Sequence, residues 1–420
     1  MEQSKRFLTA KEAAESLNIT PATLYAYVSR GLVRSEPTGG KRRTKRYYAE
    51  DVERLQERQE QRRNPAEAAS TAAATALHFG QPVLESAVTL ITNGRCYYRG
   101  YDAITLAKQY PLEQIAVLLW NETAENPEIW QKTAASLFAT QSLSLTPPFR
   151  AVQKRVAGLT PMERFQILLP LAAAGDFSAF DFRPAAVQQT GAKILKLLVS
   201  IAGGVEADGR SLAETLQQGW LPNEPQAAAW LNETLVLCAD HELNLSAFTA
   251  RCVASGEATL YAVVSAGLAA LTGARHGGFT GRVEALFQEA RTPEQVPTAL
   301  KARLKRGDQI PGFGHPLYPE GDPRGRALLA LAKRARPNST AVYLAQTISQ
   351  TTQDLVGLLP TLDFGLVTLA LALNLPPGSP LALFAIGRTA GWIGHALEQQ
   401  TLKQLIRPRA RYTGPMIKDS

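Results

Sequence analysis

The sequence predicts a mainly α protein with a small winged helix-turn-helix unit at its N-terminus and a single β-hairpin. Three observations carry this expectation. Residues 7–33, FLTAKEAAESLNITPATLYAYVSRGLV, set two short helical stretches around a tight turn. Beyond about residue 102, Ala- and Leu-rich helical patterns recur between short loops. No strand–helix–strand period, Gly-x-Gly-x-x-Gly, phosphate loop or metal-ligand spacing interrupts them.

In chain order, Lys11 to Leu17 reads as a helix capped by Thr9, and Asn18-Ile19-Thr20 as the turn. Thr20 caps a second helix that starts at Pro21, runs to about Ser29 and stops at Gly31. Ala13, Leu17, Ile19, Leu24 and Val28 join the two helices, leaving Thr23, Tyr25, Tyr27 and Arg30 on the exposed side of the second. A Gly39-Gly40 turn then leads into Lys41-Arg42-Arg43-Thr44-Lys45-Arg46, and a cationic hairpin of this kind grips phosphate. Ala49 to Leu55 opens a third helix. Residues 1–63 hold 14 Lys or Arg against 9 Asp or Glu, which is +5 of the net +8 of the 420-residue chain. The polyanion partner is therefore expected at this end only. The segment resembles the MerR and excisionase type of winged helix-turn-helix domain, through LTAKEAAE…ITPATLY, Arg46-Tyr47 and Glu50-Asp51-Val52. That family's dimerising coiled coil is missing. Gln59 to Leu77 is charged and then Ala-rich, a linker or a loosely packed helix.

Leu84 to Tyr98 reads as a hairpin about Asn93-Gly94. Helices are expected at Leu112–Trp120, Ala192–Ile201, Gln226–Cys238, Glu257–Leu271, Glu294–Arg306 and Arg324–Arg336. The apolar run Leu366 to Ile386 is broken by Asn374, Pro376, Pro377 and Pro380, so it reads as two helices around a turn and not as a membrane span. Met1 to Leu8 has no signal-peptide core, and Cys96, Cys238 and Cys252 have no metal-like spacing. A cytoplasmic protein with buried, reduced thiols is expected.

The five histidines direct attention to a site. His78 lies near the linker. His241 stands in a polar break between two apolar helices, and His276 precedes Gly277-Gly278 at a helix boundary. His315 lies on Ile310 to Arg324, a loop with three Gly and four Pro among fifteen residues, too broken for a helix or a central strand. His395 shares a helix face with Arg388, seven residues earlier, beside Gly387, Gly391 and Gly394. Taken singly, each fits a core histidine as well as a functional one. Asp363 alone fits a cap of a helix Phe364 to Leu373, and Arg407 with Arg409 fits a basic surface tail.

Together, the motifs in order resemble the citrate synthase family. They are Tyr98 to Asp102, Asp240-His241-Glu242 with Ser246 to Arg251, Gly273 to Gly278, Pro311 to His315 with Asp322-Pro323-Arg324, Leu362-Asp363-Phe364, Gly387 to His395 with Glu398, and Arg407-Pro408-Arg409 with Tyr412 to Gly414. The resemblance implies a citrate synthase-like two-domain helical fold over residues 82–420, with a small domain at about 277–366. The winged domain takes residues 1–62 and the linker 63–81. The implied reaction is condensation of acetyl-CoA with oxaloacetate to citrate by a homodimer built through this domain. By match to the family, Asp363 is the base, His276 the neutral donor to the enol, and His315 the group that polarises the ketone. Arg324, Arg388 and Arg407 match the positions that bind the oxaloacetate carboxylates, Arg407 reaching in from the partner subunit, and His241 adds a hydrogen bond. The resemblance implies no metal and no redox cofactor. His395 reads as structural. Phe279, Pro316 and Gly365-Leu366 depart from the family's usual residues near the acyl-CoA side, leaving the acyl donor open. Two alternatives follow: a 2-methylcitrate synthase using propionyl-CoA, and a ligand-sensing transcription regulator on the same scaffold.

Overall fold

A computed structural model describes residues 7–30, 32–37, 45–49, 51, 52, 55, 84–121, 126–139, 145–410 and 412–415. The chain divides into two compact units, residues 1–85 and 86–420.

In the first unit, Thr9 and Glu12 form a reciprocal capping box that starts the helix Ala10–Ser16. Thr20 caps Pro21–Ser29 through the Thr23 N–H. Asn18, at φ 52, makes the turn between them in the left-handed conformation that asparagine tolerates. Strands β1 (Phe7–Leu8), β2 (Ser35–Pro37) and β3 (Lys45–Tyr48) form an antiparallel sheet in the order β1-β3-β2, so β2 and β3 are the sides of the wing. Ala13, Leu17, Leu24, Val33, Tyr47 and Val52 form a core of their own. Asp51, in the helical segment after the wing, accepts from Nε and the backbone N–H of Arg34 at 2.8 and 2.9 Å.

The residues expected to face nucleic acid differ in their exposure. Tyr25 (55% exposed) and Arg30 face outward, but Tyr27 is half-buried against the core, and Thr23 is half-buried with its hydroxyl 3.0 Å from that of Thr20. Lys45 and Arg46 are both exposed, and Arg46 pairs with Glu36 at 2.8 Å and lies 4.1 Å over the Phe7 ring. Arg46 thus braces the wing. Lys41, Arg42, Arg43, His78 and the expected linker lie outside the described residues.

The second unit opens with β4 (Thr89–Thr92), β5 (Arg95–Tyr98) and β6 (Tyr101–Asp102). Asn93 and Gly94 both have positive φ, as the two-residue hairpin turn requires. Tyr98 donates from its hydroxyl towards the Val236 carbonyl, 3.1 Å away, with that of Asp240 at 3.3 Å, which fixes the hairpin to the helix Ala227–Cys238. Helices then follow as far as Leu402. Leu112–Trp120 falls as expected, but the helix expected from Glu257 begins only at Leu260, because Glu257 sits at φ 57 and breaks the run. No helix among the described residues is long and apolar enough to cross a membrane. Cys96 and Cys238 are buried; Cys252, expected to be buried, is only half so.

The larger core wraps around the long helix Ser379–Leu402. A smaller core gathers Val283, Leu286, Leu300, Ile348, Phe364 and Val367. The helix Leu362–Ala372 belongs to both, giving Leu362, Leu366 and Leu369 to the larger and Phe364 and Val367 to the smaller. Each such fully buried side chain contributes about 1.5–3 kcal/mol. Asp363 therefore stands where the two cores meet.

The long helix runs hard against Ala227–Cys238. A Cβ on Gly387 would collide with the Leu235 carbonyl, and one on Gly391 with the Ala239 carbonyl and the Asp240 carboxylate. The Gly391 N–H instead donates to the Ala239 carbonyl at 3.0 Å. Gly387→Ala is expected to cost about 1–3 kcal/mol of stability through overpacking. A lowered urea midpoint with an unchanged slope is the expected readout.

Candidate active site

Two buried guanidiniums define the site. Arg324 is 3% exposed at the start of the helix Pro323–Ala335, whose cap is Asp322. Asp322 accepts from Arg324 Nε at 3.1 Å and Nη2 at 2.9 Å in a forked pair, and from the Leu362 N–H at 3.2 Å. One carboxylate therefore orients the arginine, caps its helix and ties that helix to the one carrying Asp363. Arg324 Nη1 is buried with no hydrogen-bond partner. Arg388 is 1% exposed, donates from Nε to the Cys238 carbonyl at 2.8 Å and stands 4.8 Å over the Phe384 ring. Burial lowers its pKa, with the Asp240 charge opposing.

Three imidazoles sit in the field of these arginines. The rings of His241 and His315 meet edge to face at 5.3 Å. The Leu317 N–H donates to His315 Nδ1 at 3.2 Å, so the neutral ring carries its proton on Nε2. His276 Nε2 lies 2.8 Å from the Ser246 hydroxyl, and that hydroxyl accepts from Trp392 Nε1 at 3.1 Å. Burial pushes all three down: His241 well below its ordinary range, with Arg324 and Arg388 adding to the effect; His276 to about 4, with Arg388 adding; His315 downward, with Arg324 adding. At neutral pH they are uncharged, with a single N–H each.

Asp363 lies in the first turn of Leu362–Ala372, and the cap position belongs to Thr361. The capping role open from the sequence is thereby excluded. Its Oδ1 is enclosed and has no hydrogen-bond partner. Burial pushes the carboxyl up to about 7, against the pull of Arg324 and with Asp322 adding to the rise. A carboxylate with that pKa and a free oxygen is suited to taking a proton from a weak carbon acid near neutral pH.

The family model for the C-terminal domain of citrate synthase matches residues 77–409, and a helix-turn-helix domain model matches residues 7–60. The chain belongs to the citrate synthase family. Citrate synthase 2 of Bacillus subtilis is 30% identical over 359 residues, 79% of this chain and 93% of that protein. A 2-methylcitrate synthase of Mycobacterium tuberculosis is 27% identical over 340 residues, 76% of this chain and 84% of that one. In fold, the chain is similar to the ternary complex of citrate synthase from Thermoplasma acidophilum with carboxymethyl coenzyme A and oxaloacetate, with a TM-score of 0.69 at 20% identity over 81% of this chain and 96% of that one. The protein is thus a citrate synthase-type acyltransferase that carries a helix-turn-helix domain.

In this synthase-family chain, His241, His276, His315, Arg324, Asp363 and Arg388 share one electrostatic neighbourhood. Arg407 is exposed on the segment after the last helix. His395 is fully buried, with Nε2 3.3 Å from Asp240 and Nδ1 3.8 Å from Glu398. Burial pulls His395 down, but Asp240, with Glu398 adding, outweighs it and the ring's pKa is raised above its ordinary value. Glu398, lowered to about 2, also pairs with Arg251 at 2.9 Å and accepts from the Ala87 N–H at 2.7 Å. His395 joins the long helix to the turn before His241.

Sequence reasoning missed Asp322 as the orienter of Arg324, Ser246 as the partner of His276, and Tyr318, whose hydroxyl lies 2.9 Å from His241 Nε2. The Asp-Pro-Arg triplet contained the first signal, since an Asx cap two residues before a buried Arg can fork onto it.

Proposed function

We propose that the enzyme condenses acetyl-CoA with oxaloacetate to give citrate and CoA, and that its N-terminal domain binds DNA. Asp363 carries the first part: its enclosed carboxylate near pKa 7 is a base where a structural aspartate has no need of one. Asp363 removes a methyl proton from the thioester, and neutral His276 donates its N–H to the enol oxygen. The enol carbon attacks the ketone carbon of oxaloacetate. His315 Nε2–H polarises that ketone and protonates the new alkoxide, and water then cleaves the thioester. Arg324, Arg388 and His241 hold the two carboxylates, with Arg407 reaching across a homodimer. Side chains supply every proton and charge, so no metal or redox cofactor takes part. Three free cysteines suit a reducing cytoplasm.

The relatives include enzymes named for citrate and for 2-methylcitrate. One methylene changes discrimination by only about 1–3 kcal/mol, so the donor is decided by rate. Thiol release with oxaloacetate is expected to be faster from acetyl-CoA than from propionyl-CoA and to vanish in Asp363→Ala. Faster release from propionyl-CoA would make the enzyme a 2-methylcitrate synthase. No release from either donor, in a folded protein that binds oxaloacetate, would leave a ligand-sensing regulator.

For DNA, the helix-turn-helix, the two-stranded wing and the outward Tyr25, Arg30 and Lys45 support binding through phosphate contacts. Genomic fragments are expected to be retarded in a gel at low salt and released as salt rises. Absence of retardation at low salt would refute this part.

A further inference from the structure

Tyr318 has no part in the chemistry described above, yet it touches three elements of the site. It is 2% exposed. Its hydroxyl lies 2.9 Å from Nε2 of His241 and against the Cys96 thiol of β5. Its ring packs against His315, with centroids 5.1 Å apart. One hydroxyl therefore joins the His315 loop, the turn bearing His241 and the hairpin.

That hydroxyl has one proton and two neighbours, so the direction of the chain is a chemical question. The thiol keeps its own proton, because burial pushes it up to about 12. Sulfur is a weak acceptor, whereas an imidazole nitrogen is a strong one. The phenol O–H is therefore best used on the imidazole nitrogen 2.9 Å away. We infer that Tyr318 donates its proton to His241 Nε2 and thereby holds the neutral ring in the tautomer protonated on Nδ1.

The consequence concerns anion binding. A carboxylate accepts hydrogen bonds and gives none. A neutral imidazole has a single N–H, and the other nitrogen's partner decides where it sits. His241 Nδ1 has no protein partner among the described residues. With Tyr318 donating to Nε2, that nitrogen carries the proton and can donate it to a substrate carboxylate. Without the hydroxyl, the proton is no longer held there, and a lone pair on Nδ1 would repel the anion. Tyr318 is thus a positioning residue that acts through His241. This inference rests on the proposal that His241 meets oxaloacetate.

The test uses the full-length protein with 15N-labelled histidine. His241→Asn identifies the His241 signals by their loss. The expected spectrum without substrate shows a proton-free, pyridine-type Nε2 and a protonated, pyrrole-type Nδ1. Tyr318→Phe is expected to lose that pattern and to raise KM for oxaloacetate about tenfold or more, with kcat little changed. Cys96→Ala, which removes only the far end of the chain, is expected to keep both. A pyrrole-type Nε2 in the unaltered protein would overturn the inference, and so would an unchanged KM in a folded Tyr318→Phe. If Tyr318→Phe fails to fold, the spectrum of the unaltered protein still decides. An unaltered protein inert towards oxaloacetate would refute the substrate reading alone, since the spectrum needs no substrate.

Discussion

The forked pair between Asp322 and Arg324 is the interaction on which the site depends. A buried guanidinium costs several kcal/mol in desolvation unless it is paired. Asp322 meets that cost for Arg324 from two residues away, and the Leu362 N–H binds the same carboxylate at 3.2 Å. The arginine, its helix and the helix of the base are set by one group. Arg388 is stabilised differently, by a backbone carbonyl, an aromatic face and the nearby Asp240 charge. Arg324 Nη1 remains unbonded. Two buried guanidiniums, one with an unbonded Nη1, make the site electropositive.

The same positive field and the same burial act on the other titratable groups in opposite ways. Both disfavour an imidazolium, so His241, His276 and His315 are neutral donors. For Asp363 they oppose each other: burial raises the carboxyl and Arg324 lowers it, and burial wins. The result is a carboxyl that titrates near neutral pH, a value suited to taking a carbon-bound proton. His395 is the exception that shows the rule. Two carboxylates flank it, and its pKa is raised in spite of complete burial.

Much of this was legible in the sequence where the signal is local. Thr9-x-x-Glu12, Thr20-Pro21 and Asn93-Gly94 specify their caps and turn through side-chain chemistry within four residues. The broken loop around His315 and the glycines beside Arg388 are local signals too. What escaped depends on distant partners. Tyr318 contacts His241 across 77 residues. The Arg46–Glu36 pair also escaped, because only the pairing of β2 with β3 brings Glu36 beside Arg46. Glu257 looked helical by composition, yet the helix starts at Leu260.

The central claim is that a buried carboxylate with a pKa near 7 supplies the base, and the pH dependence of kcat/KM for the acyl donor tests it most directly. Asp363 acts in its ionised form. Its carboxyl titrates at about 7 in the free enzyme, so kcat/KM should fall on the acid side of that value by about tenfold per pH unit. A profile that stays flat through pH 7 and declines only in the ordinary carboxylate range would contradict the account.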